Sequence, residues 1–459
     1  MEPNLKQVEE TLLAYKQEHV LTVLRQLPQA AKEKLAAQIE QIDFESLFKS
    51  IAEQNRQPVS FNEPISPIPF EDWADYGERE QEAFTERGWE LLRSGRIGAV
   101  VVAGGHGSRL GHEGPKGTLD IGLPSRKSLF QLQAERLLYL SRKAGKAIPW
   151  YIMTSPDNHE ATVAFFRSAD YFGYSARDCF FFPQNTMPAL DFNGKLLLSG
   201  EGTIRLAPSG NGECFAALKR SGAIDDMKQR GLEWLFYYNV DNALIKVADP
   251  AFIGVAASHD NPIATKAIEK TDEEEKIGVI CLKNGRPAVL EYTEIPDKIK
   301  KEKTIDERLF YGLGHISIHL FKLDFIEAHA DAEIPYHVAA KKMDVWDAEV
   351  GLIKPAEPNA YKLERFIFDF FPLASRLTVL KTSRQEEFAP VKNKTGVDSP
   401  ESARKLIREL HMRWLQAAGI STEQLRNAEI EISPLLSYGG EGLRKEEWLE
   451  ILKQEHSNK

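Results

Sequence analysis

The chain reads as an α/β protein. It should hold a mixed, mainly parallel sheet with helices on both faces, a mostly helical N-terminal region and a small C-terminal domain. Three observations predict this. Strand-like and helix-like runs alternate through the middle of the 459 residues, the pattern of a parallel sheet covered by helices. The opening residues, to about 60, carry Leu and Val at helical spacing among Glu, Gln and Lys. After about Ser383 the texture changes to one long amphipathic segment and short mixed elements. The expected boundaries are 1–90, 91–383 and 384–459.

Composition narrows the functional class. The apolar fraction is 42% and the charged fraction 27%, enough to build more than one core. A formal net charge of −10 argues against a broad basic surface for nucleic acid or anionic lipid. It leaves room for a small cationic pocket. Three cysteines, Cys179, Cys214 and Cys281, form no CxxC pair. That favours a reducing compartment over a disulfide framework or a zinc site. The polar N-terminus is unlike a signal peptide, and no stretch approaches the ~20 apolar residues of a membrane span. A cytoplasmic protein is expected.

The elements follow in order. "VEETLLAYKQEHVLTVLRQL" places Leu12, Leu13, Val20, Leu21, Val23 and Leu24 on a helical period, and "LPQAAKEKLAAQIEQIDFESLF" reads as a second amphipathic helix. These helices are expected to cover one side of the central domain. Pro58, Pro64, Pro67 and Pro69 mark a connector laid along a surface. "IGAVVVAG" is a buried strand. In "SLFQLQAERLLYLSRKAG", Phe130, Ala134, Leu137 and Leu138 share a helical face, and Gly145 stands at the C-cap. "PWYIMTS" is a second strand. Ser155 as N-cap and Pro156 at N1 would then open a helix. "CFFFPQ" and "LEWLFYYNVDNAL" are the third and fourth strands, the latter ending in polar Asn239 and Asp241. "IGVICLKNGRPAVLEYTEI" is a hairpin about Asn284-Gly285. "LGHISIHLF" and "RFIFDFF" are further strands, and the charged run 271–276 is a solvated loop. Ser399 and Pro400 open the C-terminal helix, with Leu406, Leu410 and Trp414 along one face.

The segment Val101–Ser128, "VVAGGHGSRLGHEGPKGTLDIGLPSRKS", carries seven glycines with Arg109 and Lys116 among them. In open α/β sheets ligands bind at the C-terminal ends of strands. Glycines there let backbone N–H groups approach phosphate oxygens. A Walker A loop needs Gly-Lys-Ser/Thr, but Lys116 lies between Pro115 and Gly117. A dinucleotide fingerprint needs G-x-G-x-x-G, but Gly105, Gly107 and Gly111 are one residue too widely spaced. A cofactor-binding dehydrogenase therefore loses its support.

What remains, G-G-x-G-[ST]-R-L-G followed by P-K-G, resembles the signature of the sugar-phosphate nucleotidyltransferases. With its continuation "TLDIGLPSRKSLFQLQAERL" it is similar to the eukaryotic-type UDP-N-acetylhexosamine pyrophosphorylases, within the wider UTP–sugar-1-phosphate uridylyltransferases. The resemblance reaches about Lys394 and implies a Rossmann-like nucleotidyltransferase core. It implies that Ala103, Gly104, Gly105 and Gly107 line the nucleotide, and that Arg109 and Lys116 clamp its phosphates. "FFPQNTMPAL" would put Gln184 on the uracil edge. "LAPSGNGECFAAL" would bring Gly210 to the base and Asn211 to the sugar. "YYNVDNAL" would make Asp241 the ligand of Mg²⁺ and a neighbour of the nucleotide. The "EYTEI" hairpin would place Glu291 and Gly278 beside the sugar. Lys362 of "YKLERFIFDFF" and Lys392 of "EEFAPVKNKTG" would be phosphate-side lysines. Asp369 receives no role. His106 stands where the family usually has an amide or another residue. His315 of "LGHISIHLF" replaces the asparagine that contacts the N-acetyl group in the family.

The reaction implied joins UTP and a sugar 1-phosphate into a UDP-sugar and pyrophosphate, with an N-acetylhexosamine 1-phosphate as the first expectation. The nucleophile is already an anion, so positioning and charge stabilisation carry the rate. Because of His315, a glucose- or galactose-type substrate stays open. So does a non-catalytic regulator that binds nucleotide sugars, although Arg109, Lys116, Asp241 and Lys392 are all retained. The oligomeric state is not legible.

Overall fold

A computed structural model describes residues 3–56, 63–347, 349–425 and 428–457. The chain divides into two compact units that interleave along the sequence. The larger comprises Glu63–Pro183, Phe215–Asp331 and Phe371–Lys459; the smaller comprises Met1–Asn62, Gln184–Cys214 and Ala332–Phe370.

The larger unit holds an 11-stranded sheet. Its strands in chain order are β1 Ile65–Pro67, β2 Glu71–Asp72, β3 Ile97–Val102, β4 Trp150–Thr154, β5 Cys179–Pro183 and β6 Trp234–Asn239. They continue with β7 Ile263–Glu269, β8 Val279–Lys283, β9 Arg286–Leu290, β10 Leu313–Lys322 and β11 Leu377–Lys381. The main path runs β2-β11-β7-β10-β6-β3-β4-β5. All of its neighbours are parallel except β10, which runs antiparallel to both β6 and β7. The mixed, mainly parallel α/β class expected from the alternating runs is therefore the class found. β3 and β4 read apolar throughout because both their faces are covered. Phe130, Ala134 and Leu137, from the helix Leu129–Ala144, pack in the same cluster as β3 and β4. That helix takes Ser128 as N-cap and Gly145, at φ +67°, as C-cap. The β8–β9 hairpin turns on Asn284 and Gly285, both at positive φ.

In the smaller unit four helices, Leu5–Ala14, Glu18–Gln26, Gln29–Glu40 and Phe44–Arg56, bury Leu12, Val20, Leu24 and Leu35. These side chains meet Leu190, Leu198, Ile204 and Leu363. The N-terminal helices thus share a core with strands from two later stretches of the chain, around residues 190–204 and at Leu363.

Four expectations are corrected. Each of the two N-terminal helical segments is split. Lys16 at φ +57° interrupts the first. Asp43 divides the second by accepting the Ser46 N–H at 3.0 Å, which starts a new helix. The proline-rich connector contributes β1 and β2, which pair with β8 and β11; Pro58 lies outside the described residues. The helix expected from Ser155 begins at His159, after a separate turn. "RFIFDFF" is not a strand: the strand is Ala360–Glu364, and Ile367–Leu373 forms a 3₁₀ turn. Asp369 there accepts the Phe366 N–H at 3.0 Å, giving the backbone a local alternative to a ladder, and Pro372 has no N–H to offer one. The C-terminal helix Pro400–Ala417 is capped by Ser399 as expected.

Candidate active site

In the larger unit the Gly-rich segment leaves the C-terminal end of β3. Ala103 still donates its N–H to Met153 at 2.8 Å, so the loop starts from a fixed root. The loop then folds back on itself. Gly107 N donates to Gly114 O at 3.0 Å, His112 N to Gly107 O at 3.1 Å and Lys116 N to Gly105 O at 3.0 Å. His112 Nε2 lies 2.7 Å from Thr118 Oγ1. Gly117 has a steric reason: a Cβ there would stand 2.2 Å from the Phe130 ring. His106 and Pro115 close a bridge across the loop, so the departure at His106 sits on backbone pairing. Ala103, Gly104 and Gly107 are buried, whereas Gly105 and Arg109 are exposed.

Asp241 leaves the next strand along the sheet. β6 runs parallel to β3, with Asn239 opposite Val102, so both segments emerge at the same edge. Lys116 Nζ lies 3.2 Å from Asp241 Oδ2, joining residues 125 apart in sequence. Burial works against ionisation of Asp241. The ammonium groups of Lys116 and Lys392 outweigh it and hold the carboxyl below its ordinary range. The Asp241 carbonyl accepts from Val391 N at 2.9 Å. Asn242 bonds to Glu387 O and Ala389 N at 2.6 and 2.9 Å. These contacts bring Lys392 beside Asp241 from far along the chain. The Lys392 ammonium is half-exposed, 3.8 Å from Asp398.

Three of the sugar-side residues expected from the sequence, Gly278, Glu291 and His315, belong to the larger unit and occupy the same edge. β10 is antiparallel to β6, so its N-terminal half lies towards the C-terminal end of β6. His315 N donates to Gly278 O at 2.8 Å. A Cβ on Gly278 would stand 2.9 Å from Val289 and 3.4 Å from Glu291 Oε1. The structure therefore brings Gly278, Glu291 and His315 together. His315 also meets His319 through a bulge. His315 is opposite Ala267 and His319 opposite Thr265, so four residues on β10 span two on β7. Ser317 sits at φ +57° within it. The two rings stack 5.1 Å apart, with their Nε2 atoms 3.2 Å apart.

Desolvation pushes His315 down to about 3 and His319 well below its usual value, so both rings are neutral near pH 7. The Thr265 hydroxyl points towards the Ile318 carbonyl at 3.3 Å and lies 2.9 Å from His319 Nδ1. If that hydroxyl donates to the carbonyl, it accepts from His319 Nδ1–H. With that orientation His319 Nε2 accepts from His315 Nε2–H.

The smaller unit carries the other expected residues. Gln184 is 5% exposed, and its Oε1 accepts no hydrogen bond from the described residues. Gly210 sits at φ +93°, and a Cβ there would be 2.4 Å from Arg365 O. Asn211 Oδ1 accepts from Ile367 N at 3.0 Å, and Gly212 N donates to Arg365 O at 2.9 Å. Segments 209–212 and 365–367 are thereby laced together. Lys362 Nζ is held by Glu364 at 2.6 Å. Asp369 accepts from Phe366 N, and both its oxygens lie 3.1 Å from His337 Nε2.

Several contributors were not found from the sequence. Asn242, Glu364 and Glu387 fall inside quoted motifs but received no role there, and Glu387 acts through distant neighbours that no local motif marks. Asn158 donates to Ala103 O and Gly105 O at 2.9 and 3.3 Å. Its one signal is an Asn at a helix start, which the Ser155-Pro156 reading overlooked. Among the described residues no group of three His, Cys, Asp or Glu side chains could hold a metal. Asp241 offers one ionised carboxylate, a donor set that suits a hard divalent cation completed by substrate oxygens and water.

Comparison with known proteins identifies the family. The family model described as UTP–glucose-1-phosphate uridylyltransferase matches residues 42–425. The UDP-N-acetylglucosamine pyrophosphorylase of Saccharomyces cerevisiae is 38% identical over 448 residues, covering 95% of this chain and 92% of the yeast protein. UDP-N-acetylglucosamine diphosphorylase 2 of Arabidopsis thaliana is 37% identical over 460 residues, covering 95% and 90%. The crystal structure of the Trypanosoma brucei uridine diphosphate N-acetylglucosamine pyrophosphorylase with an inhibitor superposes with a TM-score of 0.83 at 29% identity, covering 99% of this chain and 96% of that one. With the nucleotidyltransferase-like glycine loop on the sheet edge and relatives matching nearly end to end, this chain belongs to the UTP–glucose-1-phosphate uridylyltransferase family.

Proposed function

We propose that the protein transfers a uridylyl group from UTP to an N-acetylhexosamine 1-phosphate, giving the UDP-sugar and pyrophosphate. One observation carries the reading: Lys116 and Asp241, a cation and an ionised carboxylate, meet 3.2 Å apart at the edge where the glycine loop begins. Relatives named for UDP-N-acetylglucosamine support the choice of sugar.

An oxygen of the sugar phosphate attacks the α-phosphorus of UTP in line. The bond from that phosphorus to the bridging oxygen breaks, and pyrophosphate leaves with its electron pair. No general base is required, because the attacking oxygen is already ionised. Ala103, Gly104, Gly105 and Gly107 let the nucleotide approach the backbone, and Arg109 and Lys116 hold the triphosphate and the departing pyrophosphate. Gln184 presents an acceptor and a donor to the uracil edge, and Gly210 lets the base lie against the backbone. Gly278, Glu291 and the neutral His315 receive the sugar. Lys392 and Lys362 balance the phosphate charge, Lys362 after exchanging its Glu364 partner.

Asp241 would hold Mg²⁺, which would supply Lewis-acid stabilisation of the charge that develops on the transferred group. Three buried, unpaired cysteines support a reducing, cytoplasmic setting for a soluble enzyme of nucleotide-sugar biosynthesis. None of the described helices is long and apolar enough to cross a membrane.

The test is pyrophosphate release from UTP and Mg²⁺ with N-acetylglucosamine, N-acetylgalactosamine, glucose and galactose 1-phosphates. Turnover with an N-acetylated sugar is expected to exceed that with a plain hexose. A preference for glucose or galactose 1-phosphate would replace the substrate, and binding without turnover would replace the enzyme by a regulator.

A further inference from the structure

We propose that Asn158 is the positioning residue of the glycine loop, aiming two of its backbone N–H groups at the nucleotide phosphates. The proposal rests on the uridylyltransferase reading and deepens it.

Asn158 is 1% exposed and is the residue just before the helix His159–Ser168. Its side chain does not cap that helix. Asn158 Oδ1 accepts from Ser155 N at 2.8 Å, and Asn158 N donates to Ser155 O at 3.1 Å, closing a turn after β4. Asn158 Nδ2 is thereby pointed the other way, at Ala103 O and Gly105 O. Both hydrogens of one carboxamide are used on two carbonyls of the loop.

The consequence follows from peptide geometry. In a trans peptide the N–H of a residue points opposite to the preceding carbonyl. The Ala103 carbonyl shares its peptide with Gly104 N–H, and the Gly105 carbonyl shares its peptide with His106 N–H. Drawing both carbonyls towards Asn158 turns the Gly104 and His106 N–H groups away from it. Two oriented N–H groups at the end of a strand form an anion-binding concavity. Gly105 O also accepts from Lys116 N. One carboxamide thus holds two carbonyls at the loop root, and the second of them also accepts from the backbone of the lysine that reaches Asp241. A glycine-rich backbone would otherwise sample many conformations, and ordering it in advance lowers the cost of binding.

Replacement of Asn158 tests this with the Lys116 and Asp241 side chains both retained. Asn158→Asp keeps an acceptor for Ser155 N–H but cannot donate to the loop. Asn158→Ser removes the reach without adding charge. With wild type as the reference, both variants should raise the KM for UTP roughly tenfold, the scale of a lost buried hydrogen bond. The KM for the sugar phosphate should stay within about twofold. Amide hydrogen exchange at residues 104–107 of the unliganded protein should accelerate in both, which reports on the loop without any turnover.

The proposal fails if both variants keep wild-type KM for UTP and wild-type exchange. It also fails if both KM values rise together alongside a lowered melting temperature, which is a purely structural role, or if only Asn158→Asp is impaired, which is a charge effect. An inactive wild type would instead remove the uridylyltransferase reading, and the exchange measurement would still judge the loop.

Discussion

The proposed phosphate end and the proposed sugar end of the larger unit sit on one sheet edge but are built in opposite ways. At the phosphate end, sixteen residues from Ala103 to Thr118 fold into a self-bonded loop, and one distant carboxylate, Asp241, is added. At the sugar end, local order comes from a defect. A bulge at Ser317 stacks two histidines four apart on a strand, where regular pleating would hold them on the order of 13 Å apart. The phosphate end is charged, with Lys116 and Lys392 keeping Asp241 ionised. The sugar end is a neutral pair, with His315 held uncharged by desolvation. The lesson is that a polyanion needs fixed charge and a pliant backbone, whereas a sugar needs uncharged hydrogen-bonding groups in a rigid frame.

Lys116→Ala should break the comparison most severely. Loss of the cation should lower kcat by about a thousandfold in a steady-state assay. Asp241→Asn should follow at about a hundredfold, with a weaker response to added Mg²⁺ in the same assay.

The pH behaviour separates the two ends. Asp241 has a depressed folded-state value, so its stabilisation is present above the ordinary carboxyl range of about 4. It is lost as pH falls through the depressed value. Lys116→Met removes the largest lowering charge, and burial should then move that loss to higher pH in urea titrations. The histidines are likewise depressed. Their contribution is complete above about 6.5, the unfolded value. It declines as pH falls towards the folded value of about 3 for His315. His315→Asn should flatten stability across that window.

His315→Asn should also shift the ratio of kcat/KM values towards N-acetylglucosamine 1-phosphate over glucose 1-phosphate, by about fivefold to tenfold, with the KM for UTP unchanged. The smallest effect is expected at the bulge itself. Ser317→Gly relieves a positive φ and should stabilise by about 0.5–1 kcal/mol in denaturant titration, if the bulge persists.

Much of the fold was legible because burial on both faces leaves apolar runs, as in β3 and β4, and because caps such as Ser128, Gly145 and Ser399 act locally. The misreadings came from side chains competing with backbone pairing. Asp369 turned an aromatic run into a 3₁₀ segment, and Asn158 drew its turn away from a Ser155 cap. The candidate site was partly legible. The glycine loop, Asp241 and the hairpin carry motifs, whereas Asn158 and the His319 partner of His315 carry none.

By itself the sequence determined the α/β class, the loop after β3 and the residue types for phosphate chemistry, because periodicity, capping and glycine placement are local properties. Tertiary structure alone decided that the N-terminal helices share a core with residues 190–204, and that Lys116 meets Asp241 across 125 positions. It also decided that a two-residue bulge pairs His315 with His319. Those outcomes depend on which strands become neighbours and in what register. That choice is made by burial summed over the whole unit, and no short stretch of sequence contains it.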